Sequence, residues 1–282
     1  MIPVIWHLSN GWWDTALPKF ILSGVPICEI VGFENVAIDA PLAVLMIPGR
    51  HSLNDYDRIN ICSRRFDKVV FFVYGDEEGA FDLSRLDHPR KRIWWAMPPY
   101  VTQHPDMPLI NGWPSEAPAL IAQHATKDRV FDWSFMGQVT HSRREQCVAA
   151  LRDVPFGCLL KTPGFTQGVP RNDYYTVLAQ SKLVPCPSGP CTPDSFRFAE
   201  ALEAGCIPIA DDLTPKPEYP QGYWRYTLGV DCPIPVIQDW SLLPDLMAEW
   251  LKDWEEKSAV CQAWWKEKKR YWIRSMREDL QS

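Results

Sequence analysis

Between Ser181 and Asp212 the chain sets Asp194, Ser195, Arg197 and Glu200 at spacings that suit one kind of chemistry. The pattern over Ser195–Ala204 predicts a helix, with Asp194 or Ser195 as its cap and Gly205 as the glycine that lets it end in a left-handed turn. The first N–H groups of a helix lack partners within it and carry the positive end of its dipole, so such a start, with an arginine beside it, is a ready site for a diphosphate. Glu200 lies about a turn further along, where a carboxylate can accept two hydrogen bonds from ribose hydroxyls. Asp211 and Asp212 end the following strand, at the carboxyl edge where open α/β sheets bind ligands. The same residues also admit a plainer reading. Arg197 and Glu200, three apart on a helix, match an ordinary surface ion pair worth a few tenths of a kcal/mol.

The elements that must hold these residues are legible as alternating strands and helices. Pro3–Leu8, Leu42–Ile47, Lys68–Tyr74 and Arg92–Met97 read as strands, the middle two as continuous apolar runs that suit strands buried on both faces. Asn54 to Phe66 reads as a helix. A stretch rich in Pro, Gly and His, Pro99 to about Lys127, reads as the connection between two lobes. The alternation then restarts: strands at Val130–Met136, Phe156–Leu160, Leu183–Cys186 and Cys206–Ala210, with helices at Ser142–Arg152, Arg171–Ala179 and Ser195–Ala204. Buried strands separated by helices imply parallel pairing with crossovers, hence an α/β fold. The expected division is residues 1–120, residues 121–240 and a helical segment over 241–282. In that tail Leu243, Met247, Trp250, Trp254, Cys261, Trp264 or Trp265 and Trp272 trace one apolar face, as a long terminal helix packed across both lobes requires.

Composition narrows the function classes. With 46% hydrophobic and 23% charged residues over 282 positions, the chain can bury a core. A formal charge of −6 argues against a surface that clings everywhere to nucleic acid or anionic lipid, while leaving room for a local basic patch. The longest apolar run, Ala40 to Pro48, falls far short of the roughly 20 residues of a membrane span, and no secretory signal is visible. The expectation is a soluble, cytoplasmic protein. The nine cysteines are scattered without a CxxC pair or zinc-type spacing, so a reduced compartment fits best. Cys186 and Cys191, on either side of a loop, offer the spacing at which a pair is conceivable.

The string from Ser181 to Ile209 resembles the C-terminal signature of the exostosin-like glycosyltransferases: a strand ending in Cys-Pro, a small loop, Ser-Phe-Arg, then Glu-Ala-Leu and Gly-Cys-Ile-Pro. Upstream, Trp133-Ser134-Phe135-Met136-Gly137-Gln138 followed by Arg143 and Arg144 is similar to that family's strand–Gly–Arg element. The resemblance covers about residues 130–212. It implies a GT-B architecture, two facing Rossmann-like lobes with the sugar nucleotide held mainly by the second, and inverting transfer without an obligatory metal. The implied donor is a nucleoside-diphosphate sugar, a UDP-sugar first of all, with no further cofactor. Carried over, Gly137 lets the backbone approach the donor, Arg143 meets phosphate charge, Ser195 and Arg197 hold the diphosphate and Glu200 the ribose. Ser188 and Asp211 fall at the donor sugar or the cleft around it.

Inverting transfer needs a general base to take the acceptor's proton. Loops after first-lobe strands offer Asp14, His51, Asp76 and Glu77, with Asp14 the first choice because Trp12 and Trp13 beside it can stack on a sugar or base; His51 is the alternative. The acceptor implied by the resemblance is a glycan. A second possibility is DNA carrying a hydroxymethylated base, since Lys266, Lys268, Lys269, Arg270, Arg274 and Arg277 cluster among Trp264, Trp265 and Trp272. A third reading is a nucleotide-sugar binder without turnover.

Overall fold

The computed structural model describes residues 1–37, 40–99, 103–164, 167–213 and 219–282. Continuous apolar runs suit strands covered on both faces, and β3 (Leu42–Pro48) and β4 (Lys68–Tyr74), the latter apolar after its first residue, form the middle of the first sheet. Around them pair β1 (Ile2–Trp6), β2 (Ile27–Val31), β5 (Lys91–Ala96) and β6 (Met107–Leu109) in the order β2-β1-β3-β4-β5-β6, every described pairing parallel. Helices α1 (Ala16–Leu22) and α2 (Tyr56–Ser63) cover its faces, and α3 (Ala117–His124) follows β6. β2 is half-exposed at the sheet edge, and β6 is a three-residue strand inside the stretch read as a lobe connection. Neither has the continuous apolar run that marks a central strand.

The second sheet joins β7 (Phe131–Gln138), β8 (Gly157–Thr162), β9 (Ser181–Cys186), β10 (Ile207–Asp211) and β11 (Val236–Ile237) in the order β11-β10-β9-β7-β8, again parallel. Its crossovers are α4 (Ser142–Leu151), α5 (Arg171–Ala179), α6 (Phe196–Glu203) and α7 (Tyr223–Leu228). Gly205, at φ 76°, ends α6 in the left-handed turn that its sequence position predicts. Arg129 then satisfies trailing carbonyls of both α5 and α6, donating to Ala179 O at 2.6 Å and Ala204 O at 2.9 Å.

The tail breaks at Asp253 into α8 (Leu243–Lys252) and α9 (Trp254–Gln281). α9 begins against the second lobe, where Gln262 donates to Leu202 O at 2.9 Å. It ends against the first, where the Trp94 indole donates to Asp279 at 2.8 Å and Arg277 to Gly24 O at 3.1 Å. Its buried stripe, Cys261, Trp265, Trp272 and Met276, is shared with the core beneath both sheets. All nine cysteines are free, Cys186 and Cys191 among them. Among the described residues no helix is long and apolar enough to cross a membrane.

Candidate active site

In each sheet the order of strands reverses direction once, between β1 and β3 and between β7 and β9. Crossovers leave such a reversal point on opposite faces of the sheet, so a crevice opens outside the carboxyl ends of the two strands. The two crevices meet in a cleft of about 570 Å³, within the range of small-molecule sites. The second lobe lines it with Gly137 and Gln138 at the end of β7, Arg144 of α4, and Ser195, Arg197 and Glu200 of α6. Facing them are Trp13, Arg50, Glu77, Met97 and Asn111.

The start of α6 is poised for an anion. Ser195 takes the N-cap position in extended conformation but makes no capping bond; its Oγ is buried without a partner. Arg197 lies over the Phe135 ring at 4.6 Å and donates Nη2 to Met136 O at 3.0 Å, leaving its buried Nε and Nη1 unpartnered. Gly137 makes this possible, because a Cβ there would collide with Arg197 Nη2. Arg144 is buried, bonded to the carbonyls of Ser188 and Gln138 at 3.3 Å each. Burial first, then the neighbouring Arg197, pushes its pKa down to about 10, which leaves it charged at neutral pH.

Glu200 sits deeper along the helix, 6% exposed, and accepts one phenol on each oxygen: Tyr175 at 2.6 Å and Tyr174 at 2.8 Å. Burial raises its pKa and the two tyrosine hydrogen bonds oppose the rise. The surface-pair reading of Arg197 and Glu200 therefore fails: both lie inside the cleft wall. Asp194, just before the helix, is 2% exposed; burial pushes its pKa up to about 7. Glu77 reaches across from the first lobe to accept from the Cys191 N–H at 3.4 Å, and its pKa is raised mainly by burial.

Several expected site residues lie elsewhere. Arg143 does not line the cleft; it donates to Gly189 O at 2.7 Å and Pro190 O at 3.2 Å, tying down the loop, and Arg144 occupies the cleft wall instead. Ser188 and Asp211 are withdrawn into the core. Asp211 accepts from the Ser188 N–H at 3.1 Å and hydroxyl, the Leu213 N–H at 3.2 Å and the Trp240 indole at 2.8 Å, so its carboxylate is spent holding the loop. Asp76 is likewise spent on the N–H groups of Ala80 and Phe81, at 3.0 and 3.1 Å; burial raises its pKa to about 6.

Asp14, Trp12 and His51 cluster beside the cleft rather than along it. Asp14 packs against Gly75, its pKa raised by burial and opposed by His51, whose ring meets Trp12 edge-on at 4.6 Å. Trp13 does face the cleft, 40% exposed, with the Arg171 guanidinium over its ring at 5.4 Å. The tail offers no stacking surface for a base at Trp265 or Trp272, which are buried, while Lys269 pairs with Glu203 at 2.6 Å and Arg274 with Glu267 at 2.9 Å.

The sequence reading missed the Tyr174–Tyr175 pair as partners of Glu200, and Asn111 and Met97 as cleft residues. Met97 carries a signal visible only in the backbone, a positive φ of 55° at a non-glycine residue beside the site. Among the described residues no group of three His, Cys, Asp or Glu able to hold a metal is gathered.

Known proteins share this fold. No curated protein sequence matches the chain. Two crystal structures of Alr3699/HepE from Anabaena share its fold. One, in complex with UDP-glucose, superposes with a TM-score of 0.53 at 12% identity, covering 99% of this chain and 98% of that one. The other, in complex with UDP and glucose, gives a TM-score of 0.54 at 11% identity over the whole of both chains. The family profile described as "RXYLT1 C-terminal domain" matches residues 114–280, more than half of the sequence and the whole of the α6 region. With its paired parallel α/β sheets and C-terminal helix, the chain belongs to that family of exostosin-like glycosyltransferases of the GT-B type.

Proposed function

We propose that the protein is an inverting, metal-independent glycosyltransferase that moves a sugar from a UDP-sugar to a hydroxyl of a glycan. One observation carries the reading: Ser195 Oγ and Arg197 Nε and Nη1 are buried without partners at the start of α6, in the wall of the cleft. Unsatisfied buried donors cost about 1–3 kcal/mol each, and a diphosphate supplies the acceptors they lack. The UDP and UDP-glucose complexes of the Anabaena protein, on the same fold, support the choice of nucleotide.

The chemistry follows from the placement. The ribose hydroxyls donate to the remaining lone pairs of Glu200. As the acceptor oxygen bonds to the anomeric carbon, its proton passes to a first-lobe carboxylate and the bond from that carbon to the diphosphate breaks, its electron pair leaving with the nucleotide. Arg197, Arg144 and the α6 dipole meet the charge that grows there, the part played by a metal ion in other transferases. Glu77 takes the proton, since it lines the cleft opposite those arginines, and the Asp14–His51 pair stands beside it. Trp13 offers an aromatic face to the acceptor sugar. In this scheme residues 1–120 hold the acceptor and 121–240 the donor.

The test is calorimetric titration with UDP and turnover of a panel of UDP-sugars. Arg197→Ala and Glu200→Ala should each weaken UDP binding at least 10-fold, about 1.4 kcal/mol. Glu77→Gln should bind UDP yet lose turnover by at least about 100-fold. Full UDP affinity in both donor-site variants would overturn the placement. If Glu77→Gln turns over normally and Asp14→Asn does not, Asp14 is the base. Binding without transfer or hydrolysis of any donor would make the protein a nucleotide-sugar binder.

A further inference from the structure

The cleft wall has an order along α6. Glu200 lies deepest, Arg197 and Ser195 stand at the helix start, and Asp194 comes just before it, at the meeting of the two lobes. If the first three hold ribose and diphosphate, the donor's sugar extends toward Asp194. That carboxylate is fixed through Oδ2, which accepts the Asn111 N–H at 2.6 Å and the Tyr223 hydroxyl at 3.0 Å. Its Oδ1 is buried and has no partner, although the residue lines the cleft. Glu77 adds a second carboxylate from the opposite lobe, close enough for its charge to raise the pKa of Asp194.

A buried carboxylate oxygen with no donor is satisfied by a hydroxyl and offended by another anion. The sugar end of this cleft therefore differs from the phosphate end, where guanidinium groups and a helix N-terminus welcome negative charge. We infer that Asp194, backed by Glu77, sets donor specificity: Oδ1 accepts a hydroxyl of a neutral sugar, and the pair rejects a uronic acid, whose own carboxylate would be a third negative charge in a poorly hydrated space. The inference rests on the diphosphate reading above, which UDP alone tests.

UDP-glucose and UDP-glucuronic acid differ only in the group at C6, so their affinities for the intact chain at pH 8 isolate the carboxylate. A like charge about 5 Å away, at an effective dielectric constant of about 20, predicts binding of UDP-glucuronic acid on the order of 200-fold weaker than that of UDP-glucose. Asp194→Asn keeps an oxygen for the Asn111 N–H and should narrow that ratio to within about threefold. Glu77→Gln, which leaves the core around Asp194 intact, should narrow it in the same direction if Asp194→Asn fails to fold. A wild-type ratio within threefold, or a ratio that neither variant moves, overturns the inference while leaving UDP binding and the diphosphate site standing. Failure of UDP itself to bind overturns the diphosphate reading and this inference with it.

Discussion

A single methyl group at Gly137 probes the donor site without removing any group that would touch a ligand. Gly137 lies in β7 and its φ is not in the left-handed region, so alanine fits the backbone. Its Cβ would fall on Arg197 Nη2, with the guanidinium carbon at 3.4 Å. Carbon and nitrogen atoms prefer separations of about 3.5 Å, so the guanidinium must move by roughly an ångström or more. That shift breaks its bond to Met136 O and lifts it from the Phe135 ring. The structural cost is one net hydrogen bond and a cation–π contact, about 1–2 kcal/mol together, or a fall in melting temperature of a few degrees. The functional cost is larger in proportion. A charge-assisted hydrogen bond is worth about 1.5–3 kcal/mol, so UDP affinity should fall about 10- to 150-fold. Calorimetry on the wild type, Gly137→Ala, Arg197→Ala and the double variant reads the mechanism directly. Because the methyl acts through Arg197, the double variant should bind UDP like Arg197→Ala alone. Affinity within twofold of wild type for Gly137→Ala, or losses that add in the double variant, would refute the argument.

Two further outcomes follow from the buried carboxylates. Tyr175→Phe removes the 2.6 Å donor to Glu200; with the carboxylate less firmly oriented, the preference for UDP over 2′-deoxy-UDP should shrink about fivefold, a net hydrogen bond's worth, and an unchanged preference in a competition titration would count against Glu200 as the ribose partner. Asp194 has its pKa raised by burial to about 7, so the folded state holds its proton more tightly than the unfolded chain. Its contribution to stability is accordingly present at low pH and is lost as pH rises from about 4 to about 7. Wild type should lose roughly 2 to 3 kcal/mol relative to Asp194→Asn between pH 5 and pH 8 in urea unfolding. Asp76, raised to about 6, acts with the same sign, so the difference between the two proteins is the readout. Equal pH slopes in both would show that Asp194 titrates normally.

The sequence by itself determined the features that depend on neighbours along the chain. β3, and β4 beyond Lys68, are continuous apolar runs of the kind a doubly covered strand tolerates, and the Ser195–Gly205 stretch carries its own start, amphipathic helix and stop. The α9 stripe was legible for the same reason, since a period near 3.6 survives whatever it packs against. Tertiary structure decided where each polar side chain aims. Arg143 and Arg144 are adjacent on one helix and therefore project about 100° apart; only the docking of α4 beside the 188–190 loop turns Arg144 into the cleft and Arg143 onto carbonyls. Asp211 sits at the strand end where a ligand residue is expected, yet Ser188 and Trp240, distant in sequence, claim its oxygens first. Glu77 comes close enough for its charge to raise the pKa of Asp194 only because the two lobes close on each other. Local sequence sets the period and the turns of a chain, whereas the partner of a carboxylate is chosen by whichever donor the fold brings within about 3 Å.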